Sequence, residues 1–377
     1  MQWNWKIALP VMATSLVALT GFAYADVDNA QMRNLDNRVT ALEQRKGAGG
    51  MINPSARPQI HDGADLFITG DLLYWKAQEN GLPLSIERTT LAPGTVDGFP
   101  ATGFSEKVVN LDHRWDFGCR VGIGYNMPHD GWDLSLTWLR FYTRASRHHH
   151  FTTAKTTLPS QSDINLVLGT NTANDTRASW KMHLNQLDLP LGRSFFVSKW
   201  LSVRPHVGLR SAWIWQKLKT DYRTATTANA DLRNKDHISN KLNFWGLGIC
   251  AGLDTQWGLG SGFSIYGDGA VSLLSGFFKN NRAETALVGS AVQYLGMTNS
   301  DRTSRAITDL ELGLRWSRMF CNNGFNLQIQ GGWEHHMYFG MNQFPTRMLA
   351  ATDQGKFWQN QGDLTMQGWT LSMRFDF

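Results

Sequence analysis

The chain has 377 residues, of which 18% are charged and 12% are aromatic, with 16 Trp and a formal net charge of +5. This length leaves room for one large barrel with a small appendage or for two ordinary globular domains. The positive charge is mild and dispersed, so nucleic acid is excluded as a partner, and no run after residue 25 approaches the roughly 18–20 apolar residues of a membrane helix.

Residues 1–25 have the pattern of a secretory signal peptide. Lys6 supplies the positive charge, residues 7–23 form an apolar stretch, and Ala23-Tyr24-Ala25 matches the small-x-small cleavage rule. We expect cleavage after Ala25. An uncleaved anchor helix is the alternative.

Residues 26–46 are predicted to form a short amphipathic helix. Met32, Leu35, Val39 and Leu42 recur at steps of three and four among polar residues, in a heptad-like phase. Two heptads are marginal alone. The helix is therefore either a periplasmic coiled coil that makes a homotrimer or a fraying leader. Residues 47–63 form a Gly- and Pro-containing segment that predicts a flexible linker.

From residue 64 to residue 377 the sequence repeats with a period of two. In residues 115–125, for example, the aromatic and aliphatic side chains occupy one parity, while Asp, Gly and Arg occupy the other. Such alternation predicts β-strands with one apolar face. A parity shift near Gln186 predicts a β-bulge there.

Three features favour a membrane barrel over a soluble sandwich. The predicted strands have about 11–17 residues, whereas strands of soluble proteins usually have about 5–6. Short turns (126–131, 197–200, 258–262 and 321–324) alternate with long predicted loops (78–106, 146–175, 220–238, 279–304 and 340–361). Aromatic residues cluster beside the short turns, as in an interfacial girdle. We predict an all-β, antiparallel transmembrane barrel of about ten strands, with a range of 10–14.

The last strand carries a pattern of its own. It alternates apolar with polar residues and ends on an aromatic side chain: Trp369, Leu371, Met373, Phe375 and Phe377. This ending resembles the sorting signal that the bacterial outer-membrane insertion machinery reads. It implies localisation in the outer membrane, with outer-membrane lipids and that machinery as partners.

The opening strand carries a resemblance to a known family. Gly70 to Leu82 reads G-D-L-L-Y-W-K-A-Q-E-N-G-L, and this segment resembles the first strand of the pore-forming outer-membrane proteins related to the chlamydial and Legionella-type major outer-membrane proteins. The resemblance implies a surface-exposed, porin-like protein without catalytic residues. Family members rich in cysteine form cross-linked envelopes. Here only Cys119, Cys250 and Cys321 are present, and Cys321, in a predicted turn, is the candidate for an intermolecular cross-link.

If the apolar parity faces lipid, the other parity lines the lumen. The charged residues predicted there are Asp71, Arg120, Asp133, Lys181, Arg204, Arg210, Asp309, Glu311, Arg315, Glu334 and Arg374. Charges around a pore set solute preference. We therefore expect a channel for passive diffusion of small solutes and ions, weakly selective and leaning to anions through its arginines.

Two alternatives remain open at this level. A barrel of about eight strands is just filled by its own side chains, so a ten-strand barrel is also consistent with a plugged structural or surface scaffold. An outer-membrane barrel enzyme, a protease or a lipase, would need a site such as Glu334, His335 and His336 with Asp309 or Glu311. No Gly-x-Ser-x-Gly motif is present, and neither a cofactor nor a metal site is predicted.

Overall fold

A computed structural model describes residues 53–58, 60, 63–90, 94–96, 99–101, 103–128, 130–150, 156–159, 175–224, 234–288, 291–350, 353–359 and 362–377. The chain divides into two units, Met1–Asn53 and Pro54–Phe377, and the second is described below. The predicted signal peptide, the predicted helix 26–46 and part of the predicted linker lie outside the described residues.

Ten long antiparallel strands close into one barrel, which confirms the predicted fold class. Each strand pairs with its neighbour in the chain, and the last pairs with the first. In order they are β1 (Leu66–Glu79), β6 (Trp115–Asn126), β7 (Trp132–His150), β9 (Asp175–Arg193), β11 (Leu201–Thr224), β12 (Asn234–Gly260), β13 (Phe263–Val288), β14 (Ala291–Phe320), β15 (Phe325–Asn342) and β18 (Gly362–Asp376).

Short strands occupy the connections. They are β2 (Pro83–Thr90), β3 (Gly94–Val96), β4 (Phe99–Ala101), β5 (Phe104–Asn110), β8 (Thr156–Pro159), β10 (Phe195–Phe196), β16 (Pro345–Ala350) and β17 (Asp353–Gln359). The strand β2 pairs with both β5 and β8, and β16 pairs with β17. Among the described residues, no helix is long and apolar enough to cross a membrane.

Closure of the barrel joins the two ends of the sequence. Thirteen consecutive residues of β1 lie opposite β18, from Phe67 to Glu79. The Leu66 N–H donates to the Phe377 carbonyl at 3.1 Å, and the Phe377 N–H donates to the Leu66 carbonyl at 2.9 Å. A closed barrel has no unpaired edge, which a chain in lipid requires.

The two ends of the barrel differ. The start of β1, the end of β18 and the short turns lie at one end of the barrel, which we call the short-turn end. The other is the long-loop end. One loop prediction is wrong: residues 279–288 and 291–304 are strand, because β13 continues to Val288 and β14 begins at Ala291. Likewise β11 and β12 extend into the predicted loop 220–238. These strands have 24–30 residues, far more than the roughly 9–11 that cross a bilayer, so the barrel continues beyond the membrane at this end.

The outer surface is apolar between two belts of aromatic side chains. At the short-turn end the exposed rings are Tyr125, Trp132, Phe196, Trp200, Trp257, Phe263, Phe320 and Phe325. The second belt contains Tyr74, Trp115, Phe117, Trp138, Tyr142, Trp215, Trp245, Phe277, Trp333 and Trp369. On β12, Trp245 and Trp257 are separated by a rise of about 30 Å along the barrel axis for a tilted strand. This separation matches the thickness of a bilayer's hydrocarbon core.

The predicted β-bulge near Gln186 is not present. The strand β9 keeps one register with β7 and one with β11 throughout its length. Even-numbered residues of β9 therefore face the interior from Thr176 to Asp188, and odd-numbered residues face outward. This regularity places Lys181 on the outer face of the barrel.

Part of the predicted linker is held against the short-turn end. The Ala56 N–H donates to the Ser194 carbonyl at 3.1 Å, and the Phe196 N–H donates to the Pro54 carbonyl at 3.0 Å. The Arg57 guanidinium donates to the Met127 carbonyl at 2.6 Å. Backbone pairing thus begins before the first barrel strand.

Candidate functional site in the barrel interior

Inward-facing charged residues lie opposite one another on neighbouring strands. The registers place Asp71 opposite Arg120, Asp188 opposite Arg210, Arg204 opposite Asp254, Asp309 opposite His336 and Glu311 opposite Glu334. Directly opposite residues have Cβ atoms only about 4.5–5.5 Å apart. The period-two pattern and the register together therefore assemble a network of charges in the middle and short-turn part of the lumen.

Arg120 links three strands across this network. Its Nη2 lies 2.7 Å from Oε1 and 2.6 Å from Oε2 of Glu334. Its Nε lies 3.2 Å from a carboxylate oxygen of Asp71. The Glu334 side chain is fully buried, so the guanidinium is the principal cation that offsets the desolvation of this carboxylate.

Arg210 and His336 form the second part of the network around Asp309. The guanidinium of Arg210 binds Asp188 at 2.8 Å and also binds Asp309. The His336 ring binds Asp309 through Nδ1 at 2.7 Å and Glu334 through Nε2 at 2.8 Å. Both ring nitrogens contact carboxylate oxygens, which are hydrogen-bond acceptors, so neither nitrogen is free to take a proton from a substrate.

Apart from Lys181 and Glu311, the remaining predicted lumen residues lie nearer the short-turn end. Arg204 binds Asp133 and Asp254, and Arg374 binds Asp376 at 2.6 Å. Arg315 donates to Gln330 and Gln256, each at 2.9 Å. The Tyr266 hydroxyl donates to Glu311 at 2.5 Å.

A cavity of about 290 Å³ lies inside this network. Eight of the residues predicted to line the lumen surround it: Asp71, Arg120, Arg210, Asp309, Glu311, Arg315, Glu334 and Arg374. Asp133 and Arg204 do not line the cavity and pair with each other nearer the short-turn end. Sequence reasoning did not single out Asp188, Asp254 and Asp268, which also line the cavity, although each has the inward parity of its strand.

Lys181 does not belong to the lumen. It is exposed on the outer face of β9, and its neighbours Trp180 and Met182 are fully buried inside the barrel. The prediction placed the apolar parity toward lipid along the whole strand. At the long-loop end the reverse holds for β9, because its inward neighbours Trp180 and Met182 pack into an apolar cluster and the exterior has left the hydrocarbon.

An apolar plug occupies much of the interior at the long-loop end, where polar side chains such as Gln216, Arg282 and Glu284 are also buried. One cluster of buried side chains draws on nine of the ten barrel strands, including Leu73, Trp75, Ala77, Leu139, Phe141, Trp180, Met182, Leu184, Ile214, Leu218, Leu242, Phe244, Leu274, Phe278, Ile307, Tyr338, Leu364 and Met366. Connecting segments add Leu82, Leu84, Val109, Leu111 and Phe344. Sequence reasoning left a plugged barrel open as an alternative but did not predict that the plug is apolar. Adjacent apolar pairs such as Tyr74-Trp75 and Phe277-Phe278, which break the alternation, were its only signal.

Trp75 marks the boundary between the plug and the charged network. Its ring centroid lies 5.6 Å from that of Phe141 on the apolar side and 4.7 Å from the His336 ring on the charged side. Its indole N–H donates to Thr370 at 3.1 Å, which satisfies the one polar atom that this buried side chain carries.

Comparisons with solved structures show distant likeness to other barrels. The outer membrane protease OmpT from Escherichia coli is 9% identical, with a TM-score of 0.41 over 86% of this chain and 100% of that chain. The toluene transporter TodX from Pseudomonas putida is 11% identical, with a TM-score of 0.30 over 84% of this chain and 90% of that chain. The translocator domain of the autotransporter NalP from Neisseria meningitidis is 11% identical, with a TM-score of 0.24 over 95% of this chain and 100% of that chain.

The sequence itself identifies the family. No curated protein matches the chain, but the family model described as the Legionella pneumophila major outer membrane protein precursor matches residues 58–377. The match covers the complete barrel, including the opening strand on which the resemblance rested. Together with the closed ten-strand barrel and its apolar outer surface, it shows that this chain belongs to the Legionella major outer membrane protein family of the bacterial outer membrane.

Proposed function

We propose that the protein is an outer-membrane channel that rests in a closed state. The observation that carries this proposal is the division of the lumen into a charged cavity and an apolar plug. A hydrophobic constriction excludes water and ions by dewetting, and it conducts only when its side chains separate. The proposed activity is therefore gated passage of small solutes, in contrast to the constant diffusion expected from sequence.

The segments that enter the lumen from the connections are the proposed moving parts. Leu84 in β2 and Phe344 before β16 contribute to the plug but belong to no barrel strand. Hydrogen bonds hold both segments: the Tyr222 hydroxyl donates to the Leu84 carbonyl at 2.6 Å, and the Asn280 side-chain amide donates to the Gln343 carbonyl at 2.8 Å. Loops can leave a lumen without breaking the wall, because the wall's ladder of hydrogen bonds does not include them.

The cavity's charges favour cations over anions. Seven carboxylates line it (Asp71, Asp188, Asp254, Asp268, Asp309, Glu311 and Glu334), against four guanidinium groups (Arg120, Arg210, Arg315 and Arg374) and the His336 ring. Arg120 and Arg210, on which the anion expectation partly rested, are both paired with carboxylates. We therefore propose a weak cation preference in the open state.

Planar-bilayer recording tests the proposal. The refolded full-length protein is compared with Trp75→Ala and Phe344→Ala, which remove bulk from the plug, and with Trp333→Ala, a control that removes an indole from the lipid-facing surface. We expect brief, rare openings in the wild type and the control, and a several-fold higher open probability in both plug variants, with a reversal potential in a salt gradient that indicates cations.

A closed structural barrel is the second candidate, favoured by the nine-strand apolar cluster itself. If correctly folded wild type and plug variants are all silent, the channel proposal is wrong and the structural role is supported. An enzymatic role has no comparable support, since His336 has both ring nitrogens bound to carboxylates.

A further inference from the structure

Four cationic side chains form a row across neighbouring strands on the outer face of the barrel. Arg144 on β7 lies opposite Lys181 on β9, which lies opposite Lys217 on β11, which in turn lies opposite Lys241 on β12. Arg144, Lys181 and Lys241 are exposed and Lys217 is half-exposed. We call these four residues the cation row.

No side chain of the cation row is paired with a carboxylate in the described part of the chain; Asp116 accepts a hydrogen bond from the Arg144 backbone N–H at 3.3 Å but does not bind its guanidinium. None of its four side chains makes an ion pair or a hydrogen bond with the described residues. On the same outer face, the next residues toward the loop tips are Ser146, Ser179, Lys219 and Ser239. The next residues toward the membrane are Tyr142, His183, Trp215 and Asn243. Neither set contains a carboxylate.

Such an arrangement is unfavourable for the isolated protein. Like charges directly opposite each other on paired strands lower stability, because their Cβ atoms are only about 4.5–5.5 Å apart. Elsewhere on this barrel the buried cations pair with acids, as Arg120, Arg204 and Arg210 do. An anion from outside the chain would relieve three such repulsive contacts in succession.

The position of the row indicates which anion. The cation row lies two residues nearer the loop tips than Tyr142 and Trp215, which are two rings of the aromatic belt at the long-loop end. Two residues correspond to about 7 Å along a strand. Aromatic belts lie at the level of the headgroups, and long loops of outer-membrane barrels face the exterior. The row is therefore at the headgroup level of the outer leaflet.

We propose that the cation row binds the phosphate groups of the phosphorylated glycolipid that forms this leaflet. Several ammonium and guanidinium groups in reach of one phosphate pair provide charge-assisted hydrogen bonds. The belt below packs against the lipid's sugars and acyl chains: Trp215 is exposed there, and the Tyr142 and His183 rings lie 4.4 Å apart. The site is distinct from the lumen, so it does not depend on the channel proposal.

Binding of fluorescent diphosphorylated lipid A to the detergent-solubilised full-length barrel tests this inference. We expect the triple variant K181Q/K217Q/K241Q to bind at least tenfold more weakly than the wild type, and the single variant K217Q to bind about threefold more weakly. The matched control K199Q/K235Q/R318Q removes the same charge outside the row and is expected to bind as the wild type does. A gel that distinguishes heated from unheated barrel verifies folding, and the single variant carries the test if the triple variant does not fold.

Two further arms identify the ligand. Lipid A without phosphates is expected to bind weakly and equally to wild type and triple variant, and inorganic pyrophosphate is expected not to displace lipid A at millimolar concentration. The proposal is overturned if the triple variant and the control lose equal affinity, if removing the phosphates leaves the wild-type affinity unchanged, or if pyrophosphate alone competes fully.

Discussion

Replacement of Arg120 by Met tests whether the lumen network stabilises the barrel. The substitution keeps most of the side-chain volume but removes the cation that lies 2.6–2.7 Å from both oxygens of the fully buried Glu334 and 3.2 Å from Asp71. Breaking a buried pair by removing one partner costs about 3–5 kcal/mol, because the remaining charge is uncompensated. Arg120 is itself 23% exposed to the lumen, and His336 still contacts Glu334. We therefore expect the low end, about 3 kcal/mol.

The measurement is urea unfolding of the barrel in lipid vesicles, followed by tryptophan fluorescence. The double variant R120M/E334Q should recover much of the loss, since no uncompensated charge is left at Glu334. The control Arg177→Met removes an exposed arginine whose ion pair with Asp175 spans 3.5 Å, and it should change stability by less than about 0.5 kcal/mol. A single variant within 1 kcal/mol of wild type, or a double variant no more stable than the single one, would refute the reasoning.

Three further changes test other parts of the barrel. In Gly124→Ala the new Cβ would lie 2.1 Å from the Phe67 ring, so we expect the free energy of unfolding to fall by about 1–3 kcal/mol in the same assay. The control is Gly70→Ala, where the new Cβ meets open space, and equal losses in the two variants would contradict the packing argument. A water-soluble maleimide added to both sides of the vesicle should label Cys321, exposed in a turn, and not Cys119, exposed on the lipid-facing wall; equal labelling would place Cys119 in water. Deletion of residues 26–46 should abolish cross-linked trimers while leaving the barrel folded, and trimers that persist unchanged would remove the coiled-coil hypothesis.

The period of the sequence was sufficient for the wall of the barrel. Alternation identifies residues that share a face whatever their distant contacts, because successive side chains of a strand point to opposite sides. It therefore predicted ten strands, the short turns and the apolar outer surface. It also identified Asp71, Arg120 and Glu334 as members of one inward set. Segment ends were less certain, since β13 and β14 remain strands beyond the membrane. Many of their outward residues there are polar, such as Lys279, Thr298 and Ser300, so the alternation no longer has a consistently apolar outer side.

Only the tertiary structure decided what the inward set does. Arg120 and Glu334 are 214 residues apart in sequence and meet because the barrel closes through β1 and β18. This closure converts a list of lumen arginines into neutralised pairs. Which face is apolar also changes along the barrel, since the exterior passes from hydrocarbon to headgroups while the interior passes from charged cavity to apolar plug. For that reason Trp180 faces inward and Lys181 outward. Periodicity determines which residues lie together on a face, and the closed barrel determines what that face meets.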